Sequence, residues 1–179
     1  MVVDESMHLD RGLYLLATVR VPPERDDQIR SALRRVCPGR TARLHWHSDT
    51  DRVRRRAVEA VAEMGLTATV FVNTVSGARE QERARRACLW QAVYALREEV
   101  PCHLLLDRRS SSQNRSDNRE ISSAIKSMRL GGLTYAHGSS VDEPLLWLPD
   151  IVAGVVGAGF RGDRRYAVLL DRLDVTGPP

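Results

Sequence analysis

The sequence predicts an α/β fold in a single domain. Short apolar stretches rich in β-branched residues alternate along the chain with longer segments of helical period. The 179 residues suffice for one domain and are too few for two ordinary ones. We therefore expect one domain over residues 1–175 and a tail of residues 176–179.

Membrane and secreted proteins are not expected classes for this sequence. No apolar run approaches the roughly 18 residues that a membrane-spanning helix requires. The opening MVVDESMH has neither the basic nor the apolar region of a signal peptide. We therefore expect a soluble, cytoplasmic protein without a membrane partner.

The first two elements form an antiparallel hairpin. Residues 1–4 are an apolar strand, and residues 13–21 are its partner, because a polar turn ending at Gly12 separates them. Pro22 and Pro23 then stop the second strand and suit the first turn of a helix. The apolar face of that helix is Ile29, Ala32, Leu33 and Val36, and Pro38-Gly39 ends it.

The remaining elements continue the alternation of strand and helix. Residues 44–47 are a candidate for a brief strand, and a helix capped near Asp49 or Asp51 follows and ends at Gly65. The later elements are strand 66–72, helix 78–100, strand Cys102–Asp107, loop 108–114, a helix stopped by Gly131-Gly132, strand 133–137, apolar helix 143–159, and segment 166–173, whose type the sequence leaves open.

Cysteine spacing and charge narrow the function classes. Cys37, Cys88 and Cys102 are odd in number and lack CxxC spacing, which argues against a disulfide scaffold or a structural zinc site. The chain has 26 arginines, one lysine and a net charge of +4. Either a coding bias toward GC-rich codons or selection for a polyanionic partner accounts for this ratio, since arginine binds phosphate well.

Three carboxylates stand at unusual positions in apolar elements. Asp4 follows Met-Val-Val, Asp107 follows Leu-Leu-Leu, and Asp150 lies within the apolar helix. Ligand sites gather at the carboxyl ends of parallel strands, so Asp4 and Asp107 would meet if their strands were neighbours. Carboxylates in one place repel each other unless a hard cation such as Mg²⁺ or Mn²⁺ neutralises them, and such a site suits phosphoryl transfer. Taken singly, each aspartate is more readily explained as a turn former or helix cap, and only the three together favour a site.

The order and spacing of several segments resemble one protein family. The segments are VVDES at 2–6, strand 13–21, Leu44-His45 before a helix, LLLDRRS at 104–110, and Ser139-Ser140 followed by LLWLPDIVAG at 145–154. On these segments, which span most of the chain, the sequence resembles a bacterial family of uncharacterised proteins with a ribonuclease H-like fold and an Asp-Glu-Ser strand end near the N-terminus.

The resemblance implies a mixed sheet flanked by helices and a metal-dependent nuclease site. Asp4, Asp107 and Asp150 would hold Mg²⁺ or Mn²⁺, with Glu5 as a supplement. The chain departs from the family at Arg43, where a glutamate is common, and at Pro149, where alanine is usual. A set of three carboxylates would bind metal less tightly than four, or hold a single ion. Pro149 fits a helix that begins nearby, which puts Asp150 in or near a first helical turn.

Histidines and arginines are the remaining candidates. His45 and His47 would share a face of a strand and could ligate metal beside Asp49, although packing and solvent exposure explain the pair more readily. The resemblance makes His45 a candidate to orient substrate or water. A nuclease must also hold phosphates without reading bases. The arginines placed for this role are Arg108, Arg109, Arg115 and Arg119.

The sequence thus predicts a divalent-metal-dependent nuclease that hydrolyses RNA or DNA. The alternative is a ribonuclease H-like module that has lost ligands and binds nucleic acid or a protein partner, for example within a defence or mobile-element system. Arg43 favours this alternative, because it stands where the family has a carboxylate. The sequence leaves open whether the chain forms a homo-oligomer.

Overall fold

A computed structural model describes residues 1–36 and 43–177. It has a six-stranded mixed sheet with helices on both faces. The strands are β1 Val2–His8, β2 Leu13–Val19, β3 Ala68–Thr74, β4 Cys102–Asp107, β5 Leu133–Gly138 and β6 Asp174–Thr176, in the spatial order β5-β4-β1-β2-β3-β6. The helices are α1 Asp26–Val36, α2 Asp51–Met64, α3 Gln81–Ala95, α4 Ser111–Met128, α5 Trp147–Phe160 and α6 Ala167–Leu170.

The predicted hairpin is confirmed, but its first strand is longer than predicted. β1 pairs with β2 from Val2 opposite Val19 to His8 opposite Leu13. Asp4 therefore lies inside the strand and not at its end. Gly12 closes the turn at φ +60°, and a Cβ there would lie 2.8 Å from the carbonyl oxygen of Val75. A left-handed residue without a side chain is required at this point.

The second half of the sheet is parallel. β4 lies beside β1, with Val3 opposite Leu106, and β5 lies beside β4. The strands that carry Asp4 and Asp107 are therefore neighbours, as the sequence argument required. The predicted bounds of β4 agree with the structure.

The sheet separates two apolar layers. One layer packs α1, α2, α5 and α6 against the face that contains Val2, and the other packs α3 and α4 against the face that contains Val3. Side chains alternate between faces along a strand. Asp4 therefore faces α5, whereas Glu5 faces α3 and α4.

Helix α5 is apolar on all sides and lies in the core. Every residue from Trp147 to Ala158 is buried except Asp150, which is half-buried. Asp150 lies in the first turn, as predicted, and Pro149 precedes it there. The first amides of a helix have no intrahelical acceptor, so proline costs no hydrogen bond at this position.

Helix ends depend on capping residues that the sequence reading missed. Thr50 caps α2, between the two aspartates considered for that role. Ser110 and Gln113 form a capping box that starts α4 at Ser111, within the predicted loop 108–114. α4 ends at Met128 and is capped by Arg129, which has φ 55°, before the predicted Gly131-Gly132 stop.

Other elements differ from the predictions. Residues 44–47 are a turn region and not a strand, and the predicted helix 78–100 is α3 with a 3₁₀ turn at each end. Segment 166–173 contains the short α6, and β6, which was not predicted, pairs with β3. Thr176, expected to begin the tail, is the last residue of β6.

Several remaining expectations concern local features of the chain. Cys88 and Cys102 are free thiols. The expected helix stop Pro38-Gly39 and the thiol of Cys37 lie outside the described residues. Within the described ranges, no helix has the length and apolar character to span a membrane.

Candidate functional site

The three predicted aspartates line one cleft of about 300 Å³. The cleft lies where the neighbouring strands β1 and β4 meet the first turn of α5. The acidic lining residues are Asp4, Glu5, Asp107 and Asp150. The lining residues with side-chain nitrogen atoms are Arg43, His45, His47 and Arg109. Acidic and basic side chains therefore share one opening.

Asp4 is the most perturbed carboxyl of the cleft. Burial raises its pKa well above the usual value, and the charges of Glu5, Asp150 and Asp107 raise it further. The amide of Glu5 donates to Asp4 Oδ1 at 2.8 Å and opposes this rise. The carboxylates are thus close enough to repel one another, and a bound cation would relieve that repulsion.

Asp150 connects α5 to the turn that carries the histidines. Its Oδ2 accepts a hydrogen bond from the amide of Trp46 at 2.9 Å. Burial raises the pKa of Asp150, although the hydrogen bond from the Trp46 amide and the charge of Arg43 oppose the rise. The Trp46 ring packs against Gly154, where a Cβ would overlap it. This close packing places His45 and His47, on either side of Trp46, at the cleft.

Asp107 is held by three hydrogen bonds. Its Oδ1 accepts from the amides of Arg108 and Ser140 at 3.0 Å each, and its Oδ2 accepts from the Ser140 hydroxyl at 3.0 Å. A carboxylate has about four lone-pair sites. Asp4 and Asp150 each use one of them for a hydrogen bond within the described part of the chain. Asp4 and Asp150 therefore have more capacity for a cation than Asp107.

No preassembled metal cluster is present in residues 1–36 and 43–177. There, no group of three or more His, Cys, Asp or Glu side chains is arranged so that it could hold a metal ion. The donor chemistry of the cleft nevertheless fits a hard cation, because the three carboxylates offer only oxygen ligands. The Asp107 carboxylate is directed toward Ser140.

Glu5 lines the cleft but its carboxylate points to the opposite face of the sheet. There it accepts from Arg85 and forms an ion pair with Arg109 at 3.1 Å. Arg85 is almost fully buried and binds Asp117 through two hydrogen bonds of 2.8 Å. Arg109 also pairs with Glu82. We call Glu5, Glu82, Arg85, Arg109 and Asp117 the buried ion network.

The four arginines proposed for phosphate binding have different surroundings. The Arg109 side chain is only 11% exposed and is used by the buried ion network. Arg108, Arg115 and Arg119 are exposed and form no ion pair with other described residues. Only these three therefore have guanidinium groups that a ligand could reach without breaking existing pairs.

The comparisons with known proteins identify no relative. No protein-family model, curated protein or solved structure matches the chain. The geometry of the cleft is therefore the basis for the function proposed below.

Sequence reasoning missed a polar cluster beside the carboxylates. Ser6 Oγ lies 3.4 Å from His8 Nε2 and 3.4 Å from His47 Nε2. Asp4, Ser6 and His8 share one face of β1, because they are two residues apart along a strand. This period-two spacing was visible in the sequence, but the predicted strand ended at Asp4.

The buried ion network was missed because Arg85 lies in a helix with many charges. Charged residues of both signs flank it in the sequence, a pattern that is typical of a solvated surface. Arg85 nevertheless directly follows Ala84 and lies three residues before Cys88, both buried. That position on the small-residue face of α3 is the signal that could have identified it.

Proposed function

We propose that this chain is a divalent-metal-dependent phosphodiesterase with a ribonuclease H-like fold, acting on RNA or DNA. The observation that carries the proposal is the meeting of Asp4, Asp107 and Asp150 in one cleft. They are far apart in sequence, and the Asp4 carboxyl has a pKa raised by burial and by its acidic neighbours. Uncompensated carboxyls in a cleft are typical of functional sites.

The cation would be held by Asp4 and Asp150, with Asp107 as a further ligand. Mg²⁺ and Mn²⁺ prefer oxygen ligands of this kind. When bound, such an ion activates water and stabilises the charge that develops on a phosphodiester. The sheet supports the ribonuclease H-like part of the proposal, because an antiparallel hairpin opens it and parallel strands continue it past Asp107.

The chain's own residues orient the carboxylates and attract the substrate. The amides of Glu5 and Trp46 fix Asp4 and Asp150, and Ser140 fixes Asp107. Arg43 lines the cleft, and the exposed Arg108 directly follows Asp107. Cations there would attract a polyanion to an otherwise acidic opening, without reading its sequence.

Cleavage of labelled single- and double-stranded RNA and DNA tests the proposal. We expect Mn²⁺ or Mg²⁺ to support cleavage and EDTA to abolish it. Asp4→Asn and Asp150→Asn should each lower the rate at least a hundredfold, since each removes a ligand charge. Asp142→Asn is the matched control, because Asp142 is exposed and outside the cleft lining. Cleavage that survives in both cleft variants would refute the proposal.

A second candidate is a module that binds nucleic acid without cleaving it. The three hydrogen bonds on Asp107 favour it, because they use most of that carboxylate's capacity. Arg43 at the cleft favours it too, since a fixed cation could stand in for a metal ion. Retention of the labelled strands without cleavage in any metal would select this candidate.

A further inference from the structure

A chain of hydrogen bonds runs from the end of α5 into the cleft. Arg161 Nη1 lies 3.0 Å from His8 Nδ1. His8 Nε2 and His47 Nε2 each lie 3.4 Å from Ser6 Oγ. Ser6 and His47 line the cleft, whereas His8 is only 4% exposed. The chain therefore joins a surface guanidinium to an imidazole at the opening through two buried groups.

The donors in this chain have one consistent direction. Arginine only donates, so His8 Nδ1 must accept. Burial and the neighbouring Arg161 lower the pKa of His8, so its ring is neutral and its proton is on Nε2. That Nε2–H donates to Ser6 Oγ, and we assign the Ser6 hydroxyl, which can both accept and donate, as the donor to His47 Nε2. The remaining ring proton of His47 is then on Nδ1.

The second imidazole of the cleft is assigned in the same way. The backbone amide of His47 donates to His45 Nδ1 at 3.3 Å, so the proton of neutral His45 is on Nε2. His45 and His47 therefore each carry an N–H that the hydrogen-bond chain does not use. Together with Arg43 they form a group of nitrogen donors, which we call the donor rim.

The fold makes room for this arrangement. A Cβ at position 157 would overlap the His8 ring, so only glycine permits α5 to pass so close. Ser6 is 5% exposed, and a buried hydroxyl or imidazole is costly unless it is hydrogen-bonded. The pairing of Ser6 with two imidazoles is therefore a built feature of this face of β1.

We propose that the donor rim binds the non-bridging oxygens of a phosphoryl group, with the Arg161–His8–Ser6 chain fixing His47 as an N–H donor. The rim and the carboxylates line the same cleft, so a phosphate at the rim would have nitrogen donors beside the acidic group. The nature of the substrate rests on the proposed function. Phosphate binding is measured without cleavage, so the rim can be tested separately from the proposed reaction.

Imidazole tautomers and phosphate binding test the proposal by nuclear magnetic resonance. Long-range ¹H–¹⁵N spectra of the ¹⁵N-labelled protein should show the Nε2–H form for His8 and His45 and the Nδ1–H form for His47. In EDTA, inorganic phosphate should shift the His45 and His47 signals saturably and leave the exposed His103 signal unchanged. An Nε2–H form of His47 or unshifted rim signals would overturn the proposal.

Variants distinguish the contribution of the donor rim to phosphate affinity from that of the Arg161–His8–Ser6 hydrogen-bond chain. His47→Ala should weaken phosphate binding about tenfold, as expected for loss of one hydrogen bond to an anion. His47→Asn should retain most of the affinity, because its amide can replace the Nδ1 donor. Ser6→Ala should weaken binding about threefold and mix the His47 tautomers. His103→Ala is the control, at the opposite end of the sheet.

The outcomes also separate this proposal from the proposed function. Phosphate binding at the rim without metal-dependent cleavage would support the donor rim and refute the proposed phosphodiesterase activity. Metal-dependent cleavage with an unchanged KM in His47→Ala and Ser6→Ala would support the phosphodiesterase activity and refute the role of the rim.

Discussion

Asp4 and Glu5 are neighbours in sequence, yet they lie on opposite faces of the sheet. Their carboxyl groups therefore have different electrostatic surroundings. On the α3 and α4 face, Glu5 is compensated by Arg85 and Arg109. On the α5 face, burial raises the pKa of Asp4, and the charges of Glu5, Asp150 and Asp107 raise it further. One strand thus supplies both a paired ion network and a cleft whose carboxyl groups are available to a ligand.

Removing Arg85 from the buried ion network should have the largest effect on the free energy of unfolding. Arg85→Met keeps much of the side-chain volume but leaves Glu5 and Asp117 without their buried partner. We expect a loss of about 3–5 kcal/mol in the free energy of unfolding, measured by urea denaturation. Arg86→Met is the control and should change stability by less than about 0.5 kcal/mol, because Arg86 is exposed. Equal effects of both variants would contradict the compensating role of Arg85.

A divalent cation bound in the cleft beside Asp4 should stabilise the protein. Mn²⁺ at 100 times its Kd should add about 2.7 kcal/mol to the free energy of unfolding, because only the folded state brings the carboxylates together. The gain should disappear in Asp4→Asn and persist in Asp142→Asn. The midpoint of urea unfolding with Mn²⁺ or EDTA measures it. A gain that persists in Asp4→Asn would place the ion elsewhere.

Neutralising Asp4 should change the free energy of unfolding by a smaller amount that depends on pH. Because the native pKa of Asp4 is raised, its protonated form favours folding at low pH, and this contribution is lost as pH rises through the native pKa. Without metal, Asp4→Asn should therefore be about 1 kcal/mol more stable than the wild type at pH 7. The difference should vanish at a pH below about 4, the unfolded pKa of aspartate.

Urea denaturation at several pH values in EDTA measures this difference. Asp142→Asn serves as the reference, because Asp142 is exposed. A gain in Asp4→Asn that does not change with pH would mean that charge at Asp4 is not its cause.

The elements with strong local patterns were predictable from the sequence. β4 and the first turn of α5 follow directly from apolar runs and from a proline near a helix start. β6 could not be found in this way, because its three residues are exposed and show no alternation. The extension of β1 to His8 was missed because its second half is polar and depends on pairing with β2.

The site was predictable in composition but not in orientation. Asp4, Asp107 and Asp150 were found because an acid that interrupts an apolar element needs a partner. Glu5 was added through the family resemblance and Arg109 through its position after Asp107, although strand alternation puts Asp4 and Glu5 on opposite faces. The surroundings of Arg109 depend on Glu82 and Asp117, which come from two different helices. Tertiary contacts of that kind leave no local signal.

The glycines of α5 have a consequence for how the cleft assembles. Gly154 and Gly157 admit Trp46 and His8, and each lowers the intrinsic stability of a helix by about 1 kcal/mol relative to alanine. Such a segment would be weakly helical in isolation and depends on the sheet and the Trp46 turn for its order. Asp150 therefore reaches its place only when the surrounding core has formed, so partially folded chains would lack the complete acidic trio.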